Sequence, residues 1–271
     1  MYKKTIKKII NFSGVGIHSG KKVNVVLYPA SSGSGIFFKI KNEKIKLSVN
    51  NIVSTSRSIT IGNNKAKVNT IEHLISVVYM MEITDLIIEV DNEEVPILDG
   101  SGLDFYKLLK KAGFKKYKEQ IDRLIIMKPT IIKKNDRFLG VFPSDNFSIT
   151  YIIDFDHPDL KNRRIHFENI TPKLFFKQIA PARTFGFMEE VKSLRSKGLA
   201  KGGSFENAVV LSKTGYLTKK LRFKDECLRH KVLDLIGAIA LLRKPVKGHF
   251  IAYKSGHTLD IELIKKISNI K

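Results

Sequence analysis

The 271-residue sequence predicts an α+β fold of two similar two-layer α/β sandwich domains, each a mixed sheet with helices on one face. Three observations support this prediction. The composition is that of a globular protein, with 43% hydrophobic residues. An arrangement of helix, strand, turn and helix occurs twice, and strand-like runs precede each helix pair. Because strands and helices do not alternate regularly, a mixed sheet is favoured over a doubly wound parallel sheet.

The repeat can be followed in both halves of the sequence. Each half is predicted to contain a strand-like run, a helix, a strand, a turn and a second helix. These segments are residues 23–27, 72–81, 85–90, 99–102 and 103–111 in the first half, and 124–127, 229–242, 249–253, 254–256 and 258–266 in the second. We interpret them as two related units, the alternative being a chance likeness of two helix–strand–helix segments.

A polar, lysine-rich stretch at residues 113–122 is the predicted boundary between the two units. The first unit is predicted over residues 1–118, with a small β insert, and the second over residues 119–271. The second unit is predicted to carry an insert at about residues 184–210. This insert contains a short helix at 189–197 that is ended by a glycine.

The charge is strongly unbalanced, with 48 Lys and Arg residues against 26 Asp and Glu residues and a formal net charge of +22. Such a field attracts diphosphates, other polyanions and anionic membrane surfaces, although lysines spread over all faces would give the same composition. A nucleic-acid-binding module is disfavoured because lysines follow the whole chain and no motif combines basic with aromatic residues. We therefore expect an anionic small-molecule substrate and no nucleic-acid partner.

The sequence contains one cysteine, Cys227, so an internal disulfide is excluded and nothing points to an oxidising compartment. The basic N-terminus resembles the start of a signal peptide, but Asn11, Ser13 and Gly14 interrupt the apolar region that would have to follow. No apolar window of about 18 residues is present, so no membrane-spanning helix is predicted. These features predict a cytoplasmic protein.

Two residues on the predicted helix 229–242 are suited to bind a metal ion. His230 and Asp234 are four residues apart, which places both side chains on one helical face. Two such ligands suit a catalytic site with three protein ligands better than a closed structural site. Asp234 interrupts an apolar run, where burial without a partner would be unfavourable. The alternative is an exposed His–Asp pair.

The matching position of the first half carries Glu72 and His73 at a predicted helix start. If the halves pack with pseudo-symmetry, His73 becomes the third ligand and Glu72 lies where a general base belongs. The alternative is an acidic residue favoured by the helix dipole. His257 begins the last helix, where the first half has Leu103. This asymmetry is a sign of a general acid or oxyanion stabiliser, the alternative being a surface histidine.

Several short motifs follow one another along the chain. They are residues 14–20 (GVGIHSG), 70–74 (TIEHL), 94–101 (EVPILDGS), 182–187 (ARTFGF), 202–204 (GGS), 229–234 (RHKVLD) and 253–257 (YKSGH). With these motifs in this order, the chain resembles the UDP-3-O-acyl-N-acetylglucosamine deacetylase family over essentially its whole length. The resemblance implies two similar α/β layers with the active site between them. It also implies hydrolysis of the N-acetyl amide to UDP-3-O-acyl-glucosamine and acetate, the committed step of lipid A biosynthesis.

The resemblance further implies a role for individual residues. A Zn²⁺ ion, with Fe²⁺ as the alternative, would be bound by His73, His230 and Asp234. Glu72 would be the general base toward water, and a charged His257 the general acid. The remaining implied catalytic residues are Thr184, which would help to hold the oxyanion, and Lys231, which would line the site.

The implied substrate contacts lie mainly in the second half. Phe155 and Lys254 resemble contacts on the nucleotide side. The insert would form an apolar passage for the fatty acyl chain, with the candidate residues Phe185, Phe187, Val191, Leu194, Leu199, Ala208 and Val210. A monomer without a transmembrane segment is expected, with peripheral contact to an anionic membrane as an option left open by the charge.

One position departs from the pattern of the family, which has an Asp four residues after the metal-binding Asp, where this chain has Ala238. Without that carboxylate, we expect the pKa of His257 to be raised less and its ring to be fixed less firmly. Asp260 is a neighbouring acid that could compensate. A hydrolase acting on a different N-acyl sugar is the remaining alternative, because it would keep the metal site and change the substrate contacts.

Overall fold

The structure is a computed structural model that describes residues 1–269, so residues 270–271 of the second predicted unit lie outside the described part. The first half contains β1 (Tyr2–Ile6), β2 (Ile10–Val15), β3 (Lys22–Pro29), β4 (Ile36–Ile40), β5 (Glu43–Lys46), β6 (Ile52–Ser54), β7 (Thr60–Gly62), β8 (Lys67–Val68), α1 (Glu72–Met80), β9 (Leu86–Val90) and α2 (Leu103–Ala112). The second half contains β10 (Phe114–Gln120), β11 (Leu124–Ile125), β12 (Thr130–Lys134), β13 (Arg137–Phe142), β14 (Phe147–Ile153), β15 (Arg163–Phe167), α3 (Pro172–Leu174), β16 (Phe185–Phe187), α4 (Met188–Ser196), β17 (Val209–Leu211), α5 (Glu226–Ile239), β18 (Val246–Tyr253) and α6 (His257–Ser268). A π-helical turn (Phe175–Ile179) follows α3, and short 3-10 helices lie at Val49–Asn51 and Ala240–Leu242.

The two main sheets have the same strand order and the same strand directions. The first has the order β2-β3-β9-β4-β5, and the second has the order β12-β13-β18-β14-β15 with β11 added beside β18. In each sheet, the strand between the two helices of the repeat lies in the centre, antiparallel to one neighbour and parallel to the other. The predicted α+β class with mixed sheets is confirmed, and the shared topology identifies the internal repeat as structural.

Each main sheet buries one face and leaves the other partly open. Along β18, buried residues alternate with half-buried ones, and Phe250 and Ala252 are on the buried face. This period of two is expected for a sheet covered by helices on one side only. Among residues 1–269, none of the helices is long and apolar enough to cross a membrane.

Helices α1 and α5, the first helices of the two repeats, pack closely on each other. Gly237 on α5 allows this approach, because a Cβ atom there would lie 2.6 Å from the carbonyl oxygen of Glu72. Both helices are buried along most of their length. The close crossing therefore brings the start of α1 next to α5, which is the geometry that the proposed metal site requires.

The structure alters two predicted segments. Helix α5 begins at Glu226, three residues before the predicted start, and the buried Glu226 carboxylate binds the guanidinium of Arg183 at 2.8 Å. The lysine-rich stretch between the predicted units forms strand β10, which pairs with β1. The predicted boundary after residue 118 falls inside this mostly exposed strand, and the two units remain a prediction.

Each half also contains an insertion between its last hairpin and its first helix. In the first half, β6, β7 and β8 form a small three-stranded sheet. In the second half, the parallel strands β16 and β17 flank helix α4, which ends before Gly198 in a left-handed conformation with φ +78°. The predicted insert helix is thus present, shifted by one residue.

Candidate metal centre and substrate cavity

The first turn of α1 carries a carboxylate and an imidazole into the interior. Glu72 and His73 are 2% and 4% exposed. Oε2 of Glu72 accepts a hydrogen bond from the backbone N–H of Ile59 at 2.9 Å. Burial, followed by the charge of Asp234, raises the pKa of Glu72 to about 8. A carboxyl group with this pKa can take up a proton near neutral pH, as a general base must.

His73 meets two residues of α5 at the crossing of the helices. Nε2 of His230 lies 3.2 Å from Oδ1 of Asp234, and Nε2 of His73 lies 3.7 Å from the same oxygen. One ligand atom from each of the three residues falls within 4.8 Å of the others, and all three residues are buried. The three predicted metal ligands, separated by up to 161 positions in the sequence, are therefore brought together.

The protonation of this cluster suits metal binding. Nδ1 of His230 is 3.0 Å from the carbonyl oxygen of Ala182, which fixes the proton there and leaves Nε2 free to bind a cation. Burial, and then His230, lower the pKa of His73 to about 3, so that its ring is neutral. Burial opposes the charge of Asp234, but His230 and Lys231 hold its pKa well below the usual value.

An unsatisfied oxygen provides a direct test of whether a metal fits. Oδ1 of Asp234 is buried and accepts no hydrogen bond among the described residues, although two imidazole nitrogens lie nearby. A buried carboxylate oxygen without a partner is unfavourable, and a cation between it and the imidazoles would satisfy it. Two imidazoles and one carboxylate are a donor set that suits a catalytic zinc ion.

Two further predicted catalytic residues lie beside this cluster. Nζ of Lys231 donates to Oδ2 of Asp234 at 3.1 Å. His257 begins α6, and its Nδ1 is buried without a partner among the described residues, as expected for a ring that is not fixed by a carboxylate. Burial, opposed by Asp234 and assisted by Lys231, lowers the pKa of His257 to about 4. The resemblance implies a charged His257, whereas this environment favours the neutral ring.

A cavity of about 1090 Å³ opens next to the cluster and is lined by residues of both halves. It contains all but one of the predicted site residues. These are Glu72, His73, Phe155, Thr184, Phe185, Phe187, Val191, Leu194, Ala208, Val210, His230, Lys231, Asp234, Lys254 and His257. The apolar members other than Phe155 come from the insert, and the two lysines lie on α5 and directly after β18, so the cavity suits an amphipathic anion.

Leu199 does not line the cavity, contrary to its expected place in the acyl passage. Its backbone N–H donates to the carbonyl oxygen of Leu194 at 2.8 Å and closes the end of α4. Gly198, with φ +78°, reverses the chain at this point. The next residue, Ala200, reaches the cavity instead. Sequence spacing did not resolve this turn, and the acyl passage itself remains a prediction.

The predicted nucleotide-side residues Phe155 and Lys254 both line the cavity, and Lys254 binds Asp154, the residue directly before Phe155. Phe155 packs against Phe185 and Phe187, with ring centroids 5.8 and 5.6 Å apart. Nζ of Lys254 lies 2.9 Å from Asp136 and 3.1 Å from Asp154. Lys254 is therefore a bound cation held between two carboxylates rather than a free one.

Several lining residues were not singled out from the sequence. His18 lies within the first motif, and burial lowers the pKa of its ring, which the Glu94 carboxylate opposes. Arg57 binds Glu190 of α4 at 2.8 Å, and the hydroxyls of Thr55 and Thr258 are 2.9 Å apart, so that contacts between the halves bridge the cavity rim. The glycine-rich motif around His18 could have identified this histidine from the sequence. No motif marks Thr55, Arg57 or Thr258.

Comparisons with known proteins agree with these features. The family model described as LpxC, UDP-3-O-acyl N-acetylglycosamine deacetylase, matches residues 3–269. A UDP-3-O-acyl-N-acetylglucosamine deacetylase of Leptospira biflexa is 42% identical over 272 residues, covering 98% of this chain and 90% of the relative. Relatives of the same name from Thermodesulfovibrio yellowstonii and Nautilia profundicola are 41% and 42% identical, each over 98% of this chain and 91% and 92% of their own lengths.

Proposed function

The chain belongs to the UDP-3-O-acyl N-acetylglycosamine deacetylase family, and from this we propose that it hydrolyses the N-acetyl amide of UDP-3-O-acyl-N-acetylglucosamine. The products are UDP-3-O-acyl-glucosamine and acetate, and the reaction is the committed step of lipid A biosynthesis. The observation that carries the proposal is the convergence of His73 with His230 and Asp234 at the base of an amphipathic cavity.

The family is metal-dependent, and His73, His230 and Asp234 would hold the metal in this chain. Zinc is the proposed ion, with ferrous iron as the alternative, because two imidazoles and a carboxylate are the ligands of many catalytic zinc sites. When bound, the ion supplies Lewis acidity that polarises the amide carbonyl and activates water. The unpartnered Oδ1 of Asp234 and the neutral ring of His73 support this assignment.

The catalytic work is divided among residues around the ligands. Glu72 removes a proton from the attacking water, for which its buried carboxyl, with a pKa of about 8, is suited. Thr184 and Lys231 stabilise negative charge on the amide oxygen. His257 donates a proton to the departing glucosamine nitrogen. The negative charge of a bound diphosphate would raise the pKa of His257 from its low value in the free site.

Neighbouring parts of the cavity would hold the nucleotide and the acyl chain of the substrate. Phe155 supplies an aromatic face near the uridine, and Lys254 neutralises diphosphate once the substrate competes with Asp136 and Asp154 for it. The acyl chain occupies the passage formed by Phe185, Phe187, Val191, Leu194, Ala208 and Val210. Leu199 is left out of this proposal because it does not reach the cavity.

Location and partners follow from the same substrate. We expect a cytoplasmic monomer with peripheral contact to an anionic membrane surface. The buried free thiol of Cys227 is consistent with a reducing compartment. The net charge of +22 and the exposed side chains of Met188 and Phe205 at the cavity rim support membrane contact. Sedimentation velocity and co-sedimentation with anionic vesicles test the two expectations.

The proposed activity is tested by following acetate release from UDP-3-O-acyl-N-acetylglucosamine. The native protein should turn the substrate over, lose activity with a chelator and regain it on addition of Zn²⁺. A second substrate, the same sugar nucleotide without the acyl chain, separates this activity from a hydrolase for other N-acetyl sugars. Equal turnover of both compounds would contradict the assigned substrate, and no release from either would contradict the function.

A further inference from the structure

A buried carboxylate in the first turn of α6 has no part in the mechanism described above. Asp260 follows His257 by three residues and is fully buried, at 0% exposure. Its Oδ1 accepts a hydrogen bond from the hydroxyl of Ser255 at 2.5 Å. Its Oδ2 is buried and accepts no hydrogen bond among the described residues. One oxygen of the carboxylate is therefore anchored, and the other has no partner in the described part of the chain.

Stability does not explain this residue. Burial raises the pKa of Asp260 to about 7, against the opposing effects of Lys231 and Ser255, so the charged form is unfavourable in the folded protein. An Asn at the same position would keep the shape and the hydrogen bond from Ser255 without a buried charge. Residues that are costly to stability are characteristic of functional sites.

The surroundings of Asp260 connect it to two residues of the proposed reaction. Ser255 and Gly256 join the end of β18 to His257, and the carbonyl oxygen of Ser255 accepts a hydrogen bond from the hydroxyl of Tyr151 at 2.8 Å. The Ser255 backbone and side chain are thus both held from within the core. Since Ser255 lies two residues before His257, its anchoring limits how the start of α6, and with it the imidazole, can move.

The second connection is to Lys231 on α5, whose side chain is 12% exposed. Nζ of Lys231 lies 6.0 Å from the centroid of the Tyr151 ring, and the Tyr151 hydroxyl in turn binds Ser255, the partner of Asp260. The lysine and Asp260 therefore border the same buried group of side chains. Asp234 also faces the imidazoles of His73 and His230, so its negative charge is divided between these rings and Lys231. One turn further along the same face of α5 stands Ala238, which carries no charge.

We propose that Asp260 is a positioning residue of the deacetylation reaction: anchored on Ser255, its carboxylate fixes the segment that carries His257 and balances the charge of Lys231. This inference rests on the proposed function. Asp260 does not touch the substrate, and it acts through the orientation of the proton donor and the retention of the cation. A carboxylate that supports catalytic groups in this way contributes roughly 10- to 100-fold to activity.

The experiment compares the native protein with Asp260→Asn, which keeps the side-chain shape and removes the charge. The expected result is a fall of roughly 10- to 100-fold in kcat, with KM for the substrate and the bound zinc content unchanged. Glu262→Gln is the matched control, because Glu262 is on the same helix and its carboxylate binds Lys134 at the surface. This control should have native kinetics.

A double variant that moves the carboxylate from α6 to α5 tests the role of the Asp260 charge independently. In the double variant Ala238→Asp, Asp260→Asn, a carboxylate returns to the same cluster from α5 instead of α6. Part of the lost kcat should be regained, which a purely structural role of Asp260 would not produce. Ser255→Ala removes the anchor but keeps the charge, and it should also lower kcat without loss of zinc.

The pH dependence of stability tests the same residue without any assay of turnover. The groups that face Asp260 are Lys231, Asp234, Tyr151 and Ser255. Its pKa is raised on folding, so its contribution to stability is present at pH values below its unfolded value and is lost as the pH rises through about 7. The melting temperature of Asp260→Asn should therefore exceed that of the native protein at pH 8, and the difference should vanish toward pH 4.

The outcomes separate this inference from the proposed function. Native kcat in Asp260→Asn, or a loss of zinc that accounts for its lower activity, would overturn the positioning role while the native protein still turned over substrate. Failure of the double variant to regain activity, with its zinc content and folding intact, would overturn the role of the charge. If the native protein itself released no acetate, the proposed function would fail instead.

Discussion

The two halves of the molecule share a strand order but contribute unequally to the site. His73 on α1 and His230 on α5 occupy matching positions of the repeat, and both belong to the candidate metal site. Four residues later, α5 has Asp234, whereas α1 has the buried apolar residue Val77. The repeat therefore provides the crossing of two helices, and a single difference in side chain decides which helix supplies the carboxylate.

The residues directly before the two histidines also differ, and at this position the first half has the carboxylate. Glu72 is buried and lines the cavity, whereas Arg229 in the second half points elsewhere and binds Asp225 and the carbonyl oxygen of Gln178. The second helices of the repeat differ too, since α6 begins with His257 where α2 begins with Leu103. The comparison teaches that the proposed base and the proposed acid come from different halves, so that neither half alone contains every residue of the proposed site.

The largest effect is expected from removing the ligand that only the first half supplies. His73→Ala should abolish zinc binding and reduce activity to background, because two ligands from one helix do not hold the ion for catalysis. Metal content by mass spectrometry and acetate release measure both effects. Val77→Ala, four residues away on the same helix, should lose some stability but keep its zinc. If His73→Ala retained one zinc ion per chain, the first half would not supply an essential ligand, and the proposed difference between the halves would be contradicted.

Removing the base should have the next largest effect. Glu72→Gln keeps the side-chain length and the hydrogen bond from Ile59 but cannot take up a proton. We expect kcat to fall by roughly 10²- to 10⁴-fold, with zinc content and KM nearly unchanged. Steady-state kinetics with metal analysis of the same sample check this. A kcat close to the native value would assign the base to another residue.

A third variant tests the approach of the two helices. In Gly237→Ala, the added Cβ would lie 2.6 Å from the Glu72 carbonyl oxygen and would force α1 and α5 apart. We expect a loss of about 1–3 kcal/mol in the free energy of unfolding, together with weaker zinc binding. Gly215→Ala is the control, because no atom lies within 4 Å of a Cβ built there. Equal stability of the two variants in denaturant melts would contradict this account.

The smallest effect concerns the first turn of α5, which precedes the site residues. Burial, followed by the charge of Glu226, raises the pKa of Cys227 to about 12. The folded thiol should therefore react with iodoacetamide at pH 8 roughly a thousandfold more slowly than the unfolded chain, without effect on catalysis. Since the pKa is raised on folding, this contribution to stability is lost as the pH rises toward 12. Rapid alkylation of the native protein would contradict the burial.

Much of the fold was predictable because it depends on local patterns. The periods of the apolar residues predicted α1, β9, α2 and their counterparts in the second half, and the order of these elements revealed the repeat. Strand β10 was not predicted. Its lysine-rich sequence has no alternation, and it becomes a strand only because β1, more than 100 residues earlier, offers its edge.

The sequence by itself determined which residues are the candidate metal ligands, because His230 and Asp234 are one helical turn apart and the repeat pointed to His73. Only the tertiary structure decided that these side chains meet, since Gly237 permits the close crossing of α1 and α5. It also decided that Lys254 is held by two aspartates and that the buried Oδ2 of Asp260 has no hydrogen-bond partner within residues 1–269. Spacing along a helix is a local property, whereas burial and charge balance depend on residues far apart in the chain.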